Sequence, residues 1–205
     1  RRRRRPRAPA LKEGNTVVRA LIYTLLGWVL LASVAGLGHS FDLTVMLPAT
    51  SAVLLAHLAF TRELSLPLGL AVAITLGYLE DQHQGAPVGA LSLAHGVTYL
   101  LTVWAGTRIA VEGAIVRALA AGVVALTIDL LTFGELVLLA ERLGIDKSAL
   151  VQALPQLRWH ALATVLAAPA VWLLADVLLG LWDRVLGRNT VARARPMAST
   201  QWYRS

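Results

Sequence analysis

Residues 17–37, VVRALIYTLLGWVLLASVAGL, form an apolar run with a single charged residue, Arg19. A helix needs about 20 mostly apolar residues to cross the roughly 30 Å of hydrocarbon in a bilayer, so this run is long enough for one crossing. The triplet Ser33-Val34-Ala35 has the small-x-small pattern of a signal cleavage site. A secretory signal, however, has an apolar core of only about 7–15 residues, and further apolar runs follow this one. The run therefore predicts a retained transmembrane helix.

The composition of the whole chain extends this prediction. Of its 205 residues, 57% are apolar and 15% are charged, whereas soluble domains average about 45–50% and 25%. A disordered chain is excluded by the same apolar content, and a disulfide scaffold is excluded because Cys is absent. We predict an all-α integral membrane protein, a bundle of six transmembrane helices at Val17–Leu37, Asp42–Phe60, Ser65–Glu80, Pro87–Gly106, Ala114–Ala140 and Trp159–Trp182.

The basic residues predict the orientation of this bundle. Residues 1–16 and 183–205 are basic tails on either side of a membrane domain at 17–182, and six Arg lie among the first seven residues. Aromatic residues do not interleave with these Arg as they would in a nucleic-acid arm, so we expect contact with anionic lipid and no nucleic acid. With both termini cytoplasmic, 16 of the 19 basic residues lie inside, and those outside are Arg142, Lys147 and Arg158.

Small residues recur at four-residue spacing in three consecutive runs. In membranes such stripes allow helix backbones to approach closely, because lipid is as apolar as Leu and packing has to drive association. Close helix packing is therefore predicted at Gly69, Ala73 and Gly77, at Ala90 and Ala94, and at Ala121 and Ala125.

The segment 77–89, GYLEDQHQGAPVG, joins the third and fourth runs. Gly77, Asp81, Gly85 and Gly89 are spaced four apart, and Pro87 suits a first helical turn. We expect the Asp81 carboxylate to accept backbone N–H groups at the start of the fourth helix. A capped interhelical turn is the simpler interpretation, and a site for an ion or substrate is the alternative.

Two polar residues fall near the middle of their predicted spans. Asp129 and His95 lie at comparable depth, where inserting an Asp costs about 2.5–3.5 kcal/mol. We expect Asp129 to be either protonated or hydrogen-bonded to His95, as a clasp between helices or as part of a proton relay.

The loop 141–158 is predicted to carry a short helix in the membrane interface. Asp146 would cap its N-terminus, and Leu150, Val151, Leu154 and Leu157 would form its apolar face. Such a helix would serve as an anchor or as a contact surface for a partner outside the cytoplasm.

The pattern of Gly77, Asp81, Gly85 and Gly89 resembles that of the rod shape-determining protein MreD family of bacteria. The likeness extends to Arg62-Glu63-Leu64 through Gly69, to Asp129 and to Pro169, and by span order it covers roughly residues 17–185. His95 departs from the family pattern, so the resemblance gives that residue no role.

This resemblance implies a scaffold of the cell-elongation machinery in the bacterial inner membrane. Its expected partners are MreC, in direct contact, and MreB, RodA and the transpeptidase of RodA within the same complex. The sequence also lacks a nucleophile elbow and a pair of His at metal-binding spacing, so we expect neither an enzyme nor a cofactor or metal site. The alternative is the substrate-binding subunit of an energy-coupling-factor vitamin transporter, also a small six-helix bundle. Its Ala-x-x-x-Ala docking pattern has its nearest match at residues 32–36.

Overall fold

The computed structural model describes residues 13–41, 47–84, 87–109 and 111–185, and within these ranges the regular structure is entirely helical. The elements are α1 (Glu13–Phe41), α2 (Thr50–Thr61), α3 (Leu66–Gln84), α4 (Ala90–Ala105), α5 (Ala114–Leu143) and α6 (Lys147–Val185). The predicted basic tails lie largely outside the described residues. Their described parts, 13–16 and 183–185, are helical and belong to α1 and α6.

Five helices form a ring, and α2 lies at its centre. Around the ring, contacts run from α1 to α3, α4, α5, α6 and back to α1, and each of the five also contacts α2. Successive helices run in opposite directions. We call the end of the bundle with the α3–α4 and α5–α6 turns the turn end. The opposite end, with the start of α1 and the end of α6, is called the terminal end. Among the ring neighbours, α1 and α6 touch each other least.

Three helices are long and apolar enough to cross a membrane. They comprise Thr16–Ser40 within α1, Ala114–Leu143 and Lys147–Val185. At 1.5 Å per residue, the 19 residues of α3 span about 29 Å and the 16 of α4 about 24 Å. The molecule therefore has the form of a membrane protein.

The second predicted span, Asp42–Phe60, differs from the structure. Residues 42–46 lie outside the described residues, residues 47–49 are not helical, and the 12 residues of α2 extend only about 18 Å. Non-helical backbone at membrane depth needs protein partners in place of water. The buried Ala49 N–H has one, because it donates to Thr164 Oγ1 at 2.9 Å. The short α2 is thus accommodated by the helices that enclose it.

The predicted interfacial helix is not a separate element. Residues 147–185 form one helix of 39 residues, α6, which continues through Pro155. Pro155 removes one backbone donor and crowds the carbonyl four residues before it, which can kink a helix without ending it, and no Gly occurs between Lys147 and Trp159. The expected cap is present: Asp146 accepts hydrogen bonds from Ser148 Oγ at 2.6 Å and Ser148 N at 2.9 Å. These bonds hold the pKa of Asp146 below its ordinary value.

Candidate functional site

Asp81 organises the α3–α4 turn. Its side chain is buried, and its carboxylate accepts the backbone N–H groups of Gly89 and Leu91, each at 2.9 Å, and the hydroxyl of Ser92 at 3.2 Å. The first turn of a helix has N–H groups without helical partners, and a carboxylate there both satisfies them and interacts favourably with the helix dipole. This is the cap that the spacing predicts. Gly89 has a φ of 100°, a conformation that favours glycine.

The small residues of α3 face α4. A Cβ placed on Gly77 would overlap the backbone of Leu91, and one placed on Gly69 would overlap the Tyr99 ring. The other predicted packing residues are also buried, namely Ala73, Ala90, Ala94, Ala121 and Ala125. Gly85, the remaining member of the glycine–aspartate pattern, lies outside the described residues, as does Ala86.

Replacing Gly77 with Ala is expected to lower the free energy of unfolding by about 1–3 kcal/mol, because the added methyl group meets backbone that has no rotamer to change. Denaturant titration in mixed micelles measures the loss. Gly36→Ala in α1 is the matched control, since a Cβ there meets nothing within 4 Å. The control is expected to stabilise the helix by about 0.5–1 kcal/mol. Equal effects of the two substitutions would contradict this account of α3–α4 packing.

A second polar cluster joins three helices next to this turn. Glu80 on α3 accepts a hydrogen bond from Ser51 Oγ on α2 at 2.6 Å and another from Gln84 Nε2 at 2.7 Å. Its Oε2 also lies 3.2 Å from Nε2 of His95 on α4. Glu80, Ser51 and His95 are all buried.

One ring nitrogen of His95 has a defined hydrogen bond. Nδ1 is 2.8 Å from the Leu91 carbonyl, which can only accept, so Nδ1 carries a proton. Nε2 lies 3.2 Å from Glu80 Oε2, within ion-pair distance but without the geometry of a hydrogen bond. Glu80 already accepts from Ser51 and Gln84, an arrangement that suits an ionised carboxylate. The cluster is therefore a buried contact between a histidine of α4 and a carboxylate of α3.

The predicted pairing of Asp129 with His95 is wrong. Asp129 on α5 pairs with His160 on α6, with Oδ2 2.8 Å from Nδ1, and the acid partner of His95 is Glu80. The difference follows from the antiparallel packing of α5 and α6, which brings residues 129 and 160 to the same level of the bundle. His160 also interacts electrostatically with Glu80, so the two His–carboxylate pairs are neighbours near the turn end.

Two further clusters connect α1 to the rest of the bundle. Arg19 donates to both carboxylate oxygens of Asp183 on α6 at 2.9 Å, and its Nη1 lies 3.1 Å from Glu63 in the α2–α3 loop. Nearer the middle of α1, the Tyr23 hydroxyl lies 2.9 Å from His57 Nδ1 on α2, and His57 Nε2 lies 3.3 Å from Asp176 on α6.

Sequence reasoning missed most of these residues. Arg19 lies near the start of one apolar run and Glu80 at the end of another, and His57 and His160 have no spacing that marks a site. The available signal was the ionisable side chain within or beside an apolar run, which generally requires a partner in a membrane protein. Asp176, the carboxylate next to His57, has a side chain that is 60% exposed.

Chemically, these clusters connect helices to one another. Each described His–carboxylate or Arg–carboxylate pair spans two or more elements, and within the described residues no group of three His, Cys, Asp or Glu is placed to hold a metal ion. Comparison with known family models, curated proteins and solved structures finds no match.

Proposed function

We propose that this chain is a non-enzymatic scaffold of the bacterial cell-elongation machinery, of the MreD kind, in the inner membrane. The observation that carries the proposal is the α3–α4 turn. Three of the four residues of the glycine–aspartate pattern, Gly77, Asp81 and Gly89, form one structural unit there. Gly77 lies against the α4 backbone, and Asp81 accepts two N–H groups at the start of α4, one of them from Gly89. Because the described motif residues are used in packing and capping, they favour a structural role over binding of an ion or substrate.

The centre of the bundle supports the same role. Residues Thr50–Ala59 of α2 are buried among the other five helices, so the space that a carrier would use for its substrate is occupied by protein. The buried ionisable groups are paired between helices, which favours a single rigid arrangement. A scaffold requires such rigidity, whereas a transporter requires an accessible site.

The proposed topology has six helices in the bilayer and both termini in the cytoplasm. This topology is supported by the described basic residues, which are more numerous at the terminal end than at the turn end. The terminal end carries Arg19, Arg62, Arg108, Arg117 and Arg184, and the turn end carries Arg142, Lys147 and Arg158. Such an excess of Lys and Arg is typical of the cytoplasmic side. Among the six helices, α2 is too short to cross the bilayer, so it would lie within the bilayer, enclosed by the other five.

In this proposal the bundle contacts MreC directly and belongs to a complex with MreB, RodA and the transpeptidase of RodA. MreC has a single transmembrane span, and helices in membranes associate where small residues allow close approach. Gly77 and Gly69 are unavailable for this purpose because α4 covers them. The lipid-facing candidates are Gly36, Gly134 and Gly180, where a Cβ meets nothing within 4 Å of described atoms.

Reciprocal pull-down of the tagged chain with co-expressed MreC, from membranes in mild detergent, tests this proposal. We expect the wild type to recover MreC, and we expect one of Gly36→Leu, Gly134→Leu and Gly180→Leu to reduce recovery about tenfold while the chain stays folded. The two unaffected Leu variants are the controls for the third. Recovery of MreC no better than with an unrelated polytopic protein, together with unchanged cell shape after depletion of the chain, would overturn the proposal.

The vitamin-transporter alternative predicts a different result from the same preparation. A substrate-binding subunit would co-purify with the ATPase module of its transporter and would bind a vitamin with high affinity. The nearest match to its docking pattern, Ala32 to Gly36, lies in the half of α1 toward the turn end, which the proposed topology places away from the cytoplasm.

A further inference from the structure

One face of α6 lines an open apolar groove at the turn-end half of the bundle. The groove has a volume of about 450 Å³ and is lined by Pro48, Trp159, Leu162, Ala163, Leu166 and Ala167. Pro48 comes from the non-helical segment before α2, and the other lining residues lie at positions i, i+3, i+4, i+7 and i+8 of α6. The groove is thus continuous along about two turns of one helix.

A cation lies at one end of this groove. The guanidinium of Arg158 lies over the Trp159 ring, 5.4 Å from its centroid, and Trp159 forms the end wall. Arg158 is exposed and makes no ion pair with a described residue. An apolar channel with one unpaired Arg at its mouth is complementary to a molecule with an apolar tail and an anionic head.

In the proposed topology, the mouth of the groove lies at a membrane surface. Asp183, which Arg19 binds at the terminal end, and Trp159 are separated by 24 residues, or about 36 Å along the helix. This separation slightly exceeds the roughly 30 Å of hydrocarbon, so Asp183 and Trp159 fall near opposite interfaces. Trp is enriched at this level, and Arg there can meet phosphate. The remainder of the groove, toward Ala167, lies in the hydrocarbon of the leaflet at the turn end.

The dimensions favour an acyl chain over a helix. From Trp159 to Ala167 the groove is about 12 Å long, so its volume corresponds to a cross-section of roughly 40 Å². A helix with side chains is about 10–12 Å in diameter and needs twice that area.

We propose that this groove binds one acyl chain of an anionic phospholipid, with the phosphate held by Arg158. The planar guanidinium can donate two parallel N–H bonds to phosphate, and Trp159 keeps it in place by stacking. Leu162 and Leu166 contact the chain, and the small side chains of Ala163 and Ala167 leave room for it. The site does not depend on the proposed scaffold function.

Native mass spectrometry of the full chain in detergent, titrated with phosphatidylglycerol, tests the proposal. Arg158→Gln is expected to weaken phosphatidylglycerol binding about tenfold, the usual scale for loss of a charge-assisted hydrogen bond. Arg108→Gln is the matched control, because Arg108 stacks on Trp104 in the same manner, 5.6 Å from the ring centroid, without lining this groove. It should leave binding unchanged.

Two further ligands separate the contributions of head and tail. Diacylglycerol with the same chains lacks the phosphate, and its binding should be insensitive to Arg158→Gln. Glycerol 3-phosphate lacks the chains and should not compete. Ala163→Phe fills the groove and should abolish binding of both lipids, with Ala167→Phe as a second variant if the first does not fold.

Equal phosphatidylglycerol binding by Arg158→Gln and Arg108→Gln would overturn the proposal. It would also be overturned if the Phe variants retained lipid but lost a co-purifying membrane protein, since the groove would then bind a protein helix. Because the readout is lipid affinity, failure of this proposal is distinguishable from failure to recover MreC.

Discussion

Glu80→Met is expected to lower the free energy of unfolding by about 3–5 kcal/mol, the usual result of removing one partner from a buried ion pair. The substitution leaves His95 fully buried with Nδ1 bound to the Leu91 carbonyl and Nε2 without its carboxylate. It also removes the acceptor for Ser51 on α2. Unfolding by denaturant in mixed micelles, followed by Trp fluorescence or circular dichroism, measures the loss.

A double-mutant cycle distinguishes the pair from simple packing. His95→Leu should also destabilise the bundle, whereas Glu80→Met combined with His95→Leu should cost less than the sum of the single substitutions, because no buried ionisable group is then left without its partner. Glu141→Gln is the control, since Glu141 is exposed and its pair with Lys147 lies at the surface. Strict additivity, or a Glu80→Met loss no larger than that of the control, would show that the pair contributes little.

Arg19→Met is expected to have a similar effect, again about 3–5 kcal/mol, at the opposite end of the bundle. Arg19 makes a bidentate contact with Asp183 and a further contact with Glu63, so its loss brings two carboxylates together without the cation between them. Hydrogen exchange measured by mass spectrometry should rise first in α1 and the end of α6, because these two helices touch each other least.

Two substitutions separate the charge of Arg19 from its geometry. Arg19→Lys keeps the positive charge but loses the planar fork, so it should recover only part of the stability. Arg117→Met, at an exposed position near the same end, should change stability by no more than about 0.5 kcal/mol. Faster exchange spread evenly over all six helices would contradict a local role for Arg19 at the α1–α6 contact.

Local features of the fold were predictable from the sequence. The Asp81 cap depends on residues 8 and 10 positions further along the chain, so spacing and turn chemistry suffice to find it. The extent of α5 follows from one long, mostly apolar run without Pro, and Asp146 has the side chain that helix N-termini prefer.

Features that depend on the arrangement of helices were not predictable in the same way. Which carboxylate meets His95 depends on the rotation of each helix and on their relative levels, and composition favours Glu80 no more than Asp129. The short length of α2 was not predictable for the same reason, because the partners of its backbone, Thr164 and Trp172, come from another helix. Continuity of α6 was not predictable because the polar residues of segment 141–158 separate its apolar face from the last apolar run, and this pattern fits a separate short helix equally well.

The enclosure of α2 has a consequence for biosynthesis. The ribosome produces α2 second, yet two of the helices that surround it, α5 and α6, emerge more than 50 residues later. Until then this segment, about 18 Å long, lacks its α6 partners, namely Thr164 for the Ala49 N–H and Trp172 for the Val53 carbonyl. The nascent chain must therefore shelter this segment at the insertion machinery, and a premature stop anywhere before Lys147 would yield an unfinished product that membrane quality control can recognise.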